Sequence, residues 1–420
     1  MTGAVVAGRE LIDSRFAAWR LVVALALMTI GGAGMYVVPV VLPVVQAEFG
    51  VARGDASLPY TLLMIGFGVG GVIMGRLADR FGIMLPLLVG AVSLSLGFAA
   101  AAFSTGILGF MLVHGLLIGL LGSSATFAPL IADASLWFEK RRGIAVAVCA
   151  SGNYLAGTVW PPIVQALIEA IGWRQTYLAL AGFALVSISA LALTMRVRPP
   201  PAQSVVQVGS ALASDRPFGL KPGQAQALLC VAGIACCVAM SMPQVHIVAY
   251  CGDLGFGAAR GAQMLSLMLG FGVVSRLISG AICDRIGGLR TLLLGSALQC
   301  VALLLFLPFD ELWSLFLVSA LFGLFQGGIV PAYAIIVREY FAPADAGARV
   351  GTVIMFTLLG MALGGWMSGV VFDLTGSYRA AFLNGVGWNL LNMTIVIILL
   401  WRVGRIKARH TSAAGKPLGV

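Results

Sequence analysis

Long apolar runs separated by short polar punctuation dominate the chain. They cover residues 19–46, 57–78, 84–103, 107–132, 143–168, 176–195, 225–250, 260–281, 289–308, 312–336, 350–371 and 380–401. A bilayer crossing needs about 20 apolar residues, so each run predicts a transmembrane helix. The first run continues past Val45 after the polar residues Arg9, Glu10, Asp13 and Arg15; it is too long for a signal-peptide core and predicts a retained helix. Between the sixth and seventh runs stand Arg198-Pro199-Pro200-Pro201, Asp215-Arg216-Pro217 and Lys221-Pro222-Gly223, a polar, proline-punctuated stretch that reads as a linker. The expected plan is an N-terminal segment 1–18, a six-helix half 19–195, a linker 196–223, a second six-helix half 224–402 and a tail 403–420.

Composition sharpens this. The chain has 420 residues, 60% hydrophobic and 10% charged, with a mean hydropathy of +1.00, against about 45–50% apolar and about 25% charged in soluble domains. Soluble, disordered and disulfide-stapled readings fail on those numbers. The net charge of +10 would raise nucleic acid as a partner in a soluble chain, but basic residues of membrane proteins gather in cytoplasmic loops. With the N-terminus inside, one side holds Arg9, Arg15, Arg20, Arg76, Arg80, Lys140 to Arg142, the linker cations, Arg285, Arg290, Arg338, Arg349 and the tail cations. The other holds only Arg53, Arg174, Arg260 and Arg379. Both termini are therefore expected in the cytoplasm. The seven cysteines, Cys149, Cys230, Cys236, Cys237, Cys251, Cys283 and Cys300, fall in apolar stretches without metal-type spacing and read as small buried hydrophobes.

The two halves carry matching punctuation. Phe49-Gly50-Val51-Ala52-Arg53-Gly54 recurs as Phe256-Gly257-Ala258-Ala259-Arg260-Gly261, and Gly66-Phe67-Gly68 as Gly270-Phe271-Gly272. Gly75-Arg76-Leu77-Ala78-Asp79-Arg80-Phe81-Gly82 recurs as Gly280-Ala281-Ile282-Cys283-Asp284-Arg285-Ile286-Gly287, and Trp173-Arg174 as Tyr378-Arg379, all displaced by roughly 205 positions. Four collinear matches imply a duplication of six helices in the same orientation, with the halves related by an axis along the membrane normal. The fold class expected is an all-α polytopic membrane protein of two pseudo-symmetric halves.

The Gly-x-Leu-x-Asp-Arg-x-Gly loop after the second helix, echoed after the eighth, resembles the signature of the major facilitator superfamily, although Ile83-Met84 stands where two basic residues are usual. The resemblance implies alternating access, with Asp79, Arg80, Asp284 and Arg285 acting in gating. Trp137-Phe138-Glu139-Lys140-Arg141-Arg142-Gly143-Ile144-Ala145, continuing through Ala150-Ser151-Gly152, is similar to the signature of monocarboxylate transporters and bacterial oxalate/formate antiporters. The first-helix signature of the animal members is degraded here to Ile30-Gly31-Gly32-Ala33-Gly34-Met35, which points to the bacterial side and an inner membrane.

Arg276 is the one Lys or Arg assigned to neither side; it lies within the eighth run, roughly 12 Å from the cytoplasmic loop at about 1.5 Å per residue. At that depth a guanidinium costs at least ~2.5–3.5 kcal/mol by insertion scales, so it should face a cavity or a partner. Its planar fork suits a carboxylate; the competing role is a structural cation bonded to carbonyls or an internal acid. The resemblance adds that the substrate-binding arginine of the eighth helix falls here. Neither Leu21 to Val45 nor Val350 to Val371 holds a second cation, which favours a monocarboxylate over a dicarboxylate.

Tyr36, Tyr154, Tyr333 and Phe356 sit at positions resembling the aromatic box of the antiporters, with Asn153 as a polar neighbour; each is equally well helix packing. His114 and His246 are the candidates for proton coupling or for hydrogen-bonded packing, and Asp133 and Glu339, near helix ends, for structural pairing with Lys or Arg. Gly66, Gly68 and Gly71 spell G-x-G-x-x-G inside a predicted membrane helix and so form no nucleotide loop. No catalytic or metal constellation emerges and no cofactor is implied. Partners expected are a small carboxylate, a proton and the bilayer, with no nucleic acid and no obligate protein partner. The activity expected is proton-linked transport of a monocarboxylate; the alternatives are organic-anion exchange or efflux, and a transport-dead ligand sensor.

Overall fold

The computed structural model describes residues 11–198, 216–342 and 345–414, with side chains through residue 406. Among the described residues, twelve helices are long and apolar enough to cross a bilayer: α1 (Arg15–Phe49), α2 (Arg53–Phe81), α3 (Met84–Ala102), α4 (Ile107–Leu136), α5 (Arg142–Ile171), α6 (Trp173–Thr194), α7 (Pro222–Asp253), α8 (Ala258–Ile286), α9 (Gly288–Leu305), α10 (Leu312–Tyr340), α11 (Ala346–Thr375) and α12 (Tyr378–Ile406). Most of the expected linker, the first ten residues and the last six of the tail lie outside the described residues.

Helices start and stop where local chemistry dictates. The Ser14 hydroxyl accepts from the Ala17 N–H at 3.3 Å, satisfying one orphan donor at the start of α1. Gly82 and Gly287, which follow α2 and α8, hold φ of 86° and 82°, a region that side chains reach only with strain. The same backbone conformation at both sites carries the duplication seen in the sequence into three dimensions.

Three helices are interrupted. α1 breaks around Gly32 and carries Pro39 and Pro43 beyond it; α4 passes through a wide turn over His114–Gly122 and a tight one over Ser123–Thr126; α10 breaks at Gly327 and Gly328. Backbone groups freed inside a membrane must find protein partners. The Ser123 hydroxyl donates to Gly31 O at 2.9 Å and the Trp160 indole to Thr29 O at 2.8 Å, closing the break in α1.

On the side where α1 begins and α12 ends, here the terminus side, Arg20 is buried, although the charge count places it with the loop cations. Asp133 on α4 accepts from its Nε and Nη2, both at 2.9 Å, Met195 O accepts at 3.3 Å and Trp137 underlies the guanidinium at 4.7 Å. This is the structural pairing expected of Asp133. Glu339 instead accepts from the Gly288 N–H at 3.1 Å, at the start of α9. Asp13 reaches the signature loop between α4 and α5: its N–H donates to Trp137 O at 3.1 Å and its carboxylate accepts from the Lys140 N–H at 3.2 Å.

The halves meet along α2 against α11, α5 against α8 and the second part of α1 against α7. These contacts occupy the middle of the bundle and the opposite, loop side. There Thr61 donates to Ala362 O at 3.0 Å, and the Arg53 and Gly54 N–H groups donate to Asp373 at 2.9 and 2.7 Å. Toward the terminus side the helices separate. There no ion pair among the described residues joins the halves, and the ends of α2 and α8 around Asp79 and Asp284 are exposed. The bundle is thus closed on the loop side and splayed on the terminus side.

Candidate carboxylate site between the halves

The middle of the interface is built on one face of α8. Leu269, Gly272 and Arg276 recur at helical spacing and turn toward the first half. Gly272 is required by its neighbour: a methyl there would overlap the Tyr154 ring of α5. That close approach lets Tyr154 lie flat beneath Arg276, whose guanidinium carbon stands 4.4 Å from the ring centroid. Arg276 Nη1 donates to Ala150 O at 2.9 Å, while Nε is buried without a hydrogen-bond partner. No carboxylate among the described residues pairs with this cation, which is half-buried. A guanidinium held over an aromatic face with an unused donor is oriented for an anion.

Tyr36, on the second part of α1, packs against Gly157 of α5 and lies within electrostatic reach of Tyr154 and Arg276. These three expected residues come together. Across the site, Cys236 and Cys237 of α7 lie within reach of both Tyr154 and Tyr333, and Phe356 of α11 packs on the same cluster as Tyr333. The Tyr333 hydroxyl is not free for a ligand: it donates to Asn392 Oδ1 at 2.9 Å, and Asn392 donates to Ser296 Oγ at 2.7 Å. Tyr333 is thus anchored in the core of the second half. Asn153 diverges by one helical step from Tyr154 and faces Gly32 of α1, half-buried.

The two histidines lie elsewhere. His114 sits in an aromatic cluster of the first half with Phe110, Trp173 and Tyr177; its Nδ1 is 2.7 Å from Phe110 O and its Nε2 3.1 Å from Tyr177 Oη. His246 belongs to the loop-side closure, its Nδ1 3.0 Å from Tyr378 Oη and its Nε2 2.7 Å from Gly365 O. Asp79, Arg80, Asp284 and Arg285 are exposed on the splayed terminus side and form no ion pair among the described residues.

Tyr60 of α2 and Cys236 and Cys237 of α7 are buried near these residues and were not singled out from sequence. Tyr60 lies near Tyr36 and Cys237, and it packs against Gly365 of α11. A lone tyrosine and two cysteines in apolar runs carry no pattern of their own; only the meeting of α2, α7 and α11 gives them meaning. A separate groove of about 560 Å³ between Thr158, Ser266, Gly270, Phe271 and Phe316 opens on another face of α8 than Arg276.

A bundle of twelve crossing helices in two equivalent halves, touching on one side and parted on the other around a central cation, defines a membrane transporter. The family model for the Major Facilitator Superfamily matches residues 23–310 and 277–420, and the chain belongs to that superfamily. It is 27% identical over 354 residues to monocarboxylate transporter 13 of Rattus norvegicus, covering 82% of this chain and 78% of that one. To monocarboxylate transporter 11 of Mus musculus it is 26% identical over 383 residues, covering 87% and 84%. Among solved structures, that of the nucleoside transporter NupG superposes with a TM-score of 0.72 at 14% identity, covering 91% of this chain and 99% of that one. The glycine-rich loops after α2 and α8 thus belong to the family they resemble.

Proposed function

We propose that this protein is a secondary active transporter of a small monocarboxylate of the pyruvate or lactate type, moved with a proton across a bacterial inner membrane. The observation that carries the reading is Arg276, stacked on Tyr154 between the halves with a donor unused and no carboxylate paired with it among the described residues. The similarity to monocarboxylate transporters supports the substrate class. A carboxylate reaching Arg276 would take two parallel hydrogen bonds and one neutralising charge, and the rings of Tyr36, Tyr154 and Phe356 would exclude water around it. Binding offsets the desolvation of the guanidinium, so the loaded carrier closes over its site more easily than the empty one. The halves then rock about the site, exposing it in turn to each side. With both termini cytoplasmic, as the distribution of basic residues indicates, the splayed side faces inward. Asp79, Arg80, Asp284 and Arg285 would engage when that side closes.

The test is uptake of labelled pyruvate and lactate into proteoliposomes with and without an inward proton gradient, comparing the wild type with Arg276→Ala. Gradient-driven accumulation lost in the variant is the expected result; uptake that survives the substitution overturns the binding role. The placement of both histidines away from Arg276 favours a second reading, exchange of one organic anion for another. Counterflow that ignores the proton gradient would select it.

A further inference from the structure

Glu48 and Asp253, Trp173 and Tyr378, and Arg174 and Arg379 are each 205 positions apart and stand on the loop side of their respective halves. In the first half these residues close on themselves. Glu48 accepts from the Trp173 indole and from Arg174, at 2.6 Å. The second half has abandoned that arrangement. Arg379 turns to Asp310 at 3.6 Å, and Asp253 instead takes Arg53 of the first half, at 2.8 and 3.2 Å.

Arg53 is engaged well beyond that pair. Its Nη1 also donates to Tyr378 Oη at 2.8 Å, its guanidinium stands 4.5 Å from the Phe372 ring centroid, and its backbone N–H reaches Asp373. One residue of α2 thereby grips α7, α11 and α12, with its side chain 10% exposed. The repeat counterpart, Arg260, has the same Phe-Gly-x-Ala-Arg-Gly context, yet it is exposed, and among the described residues its side chain hydrogen-bonds only to Gln263 of its own helix, at 3.0 Å. Counted back from Gly172 and Gly376, the glycines that end α5 and α11, the counterpart of Asp373 is Glu169; it accepts from Gln165 of its own helix at 2.9 Å and forms no ion pair with Arg260 among the described residues, so the reciprocal grip is not made.

We infer that this broken symmetry makes Arg53 the ion-paired lock of the loop side: a clasp that is internal to the first half has become, in the second, a bond between halves. The Glu48 clasp travels with its half when the bundle rocks and is conserved through the motion. The Arg53 clasp must break, leaving Asp253 and Asp373 without their partner at the mouth, so these two acids set how often that side opens. The lock is independent of what is carried, and its test needs no substrate.

All seven native cysteines are buried, so thiol labels can be placed at exposed positions. Phe103→Cys, beyond α3, and Trp313→Cys, at the start of α10, put spin labels on the loop side of opposite halves, where both residues are well exposed. Distances are read by pulsed electron resonance in proteoliposomes. Arg53→Gln and Asp253→Asn are each expected to add a longer-distance population, raising the open fraction at least about tenfold, because an unpaired partner loses the interaction that held the closed form. Asp373→Asn, which keeps an acceptor for the two N–H groups, should shift it less. Glu48→Gln, in the same labelled background, should leave the distance distribution unchanged. Asp253→Asn is the decisive variant, since its half-exposed site tolerates the change in the folded protein. Unchanged distances in Asp253→Asn, or an equal shift in Glu48→Gln, would overturn the lock.

Discussion

Arg20 and Arg276 are both arginines within the helical bundle, and their surroundings are opposite. Arg20 is 3% exposed, with both carboxylate oxygens of Asp133, a carbonyl and an indole face committed to it. Arg276 is half-buried, with one carbonyl, one ring and an idle Nε. The first cation is fully used by the protein and joins α1 to α4 within one half. The second is held in place but not neutralised, at the seam between the halves. In a membrane the difference between a structural and a functional arginine lies in whether the fold supplies the counter-charge.

The largest expected effect breaks the structural member. Asp133→Asn leaves Arg20 buried without its counter-ion and should cost about 3–5 kcal/mol, read as a lower melting temperature in detergent and poor recovery from the membrane. Arg276→Ala should do the reverse: near-normal melting, but uptake efficiency reduced on the order of 100-fold, the scale of removing one charged partner from a buried pair. Arg276→Lys should restore only part of that loss, because an ammonium lacks the bidentate fork. If Arg276→Ala melts as poorly as Asp133→Asn while transporting normally, the contrast collapses.

Gly272→Ala comes next. It leaves the arginine in place and pushes the Tyr154 ring from beneath it, so uptake should fall about tenfold with the loss in apparent affinity. Asn392→Leu strips the Tyr333 and Ser296 hydroxyls of their partner in the second half and should lower stability by about 1–3 kcal/mol. The smallest effect belongs to His114→Gln, which keeps one hydrogen-bonding arm in the aromatic cluster. Melting should change by less than about 1 kcal/mol, and the dependence of uptake on external pH should be unaltered; a flattened pH profile would make His114 the coupling group.

Much of this was legible in the sequence because the bilayer imposes simple rules. Twelve apolar runs give twelve helices, and the repeated glycine punctuation gives two equivalent halves. Arg276 stands out because a permanent charge amid apolar residues has few settings. What stayed hidden depends on contacts between distant segments. Arg20 reads as a loop cation by position, and only the approach of α4 brings Asp133 to it. Tyr333 reads as a ligand contact, but Asn392, almost sixty positions later, claims its hydroxyl. Arg53 and Arg260 share one local sequence and have different fates, since the acids that decide between them lie on α7 and α11. Periodicity reports the environment of a helix face; it does not report which helix comes to lie there.

The contact made by Asp13 has a practical consequence. By meeting the Trp137 carbonyl and the Lys140 N–H, the residue just before α1 fastens the loop that carries the transporter signature. That loop is therefore held by a noncovalent splint from the start of the chain. An affinity tag or fluorescent fusion joined close to Asp13 would tug on the splint, whereas one carried after α12 would leave it undisturbed.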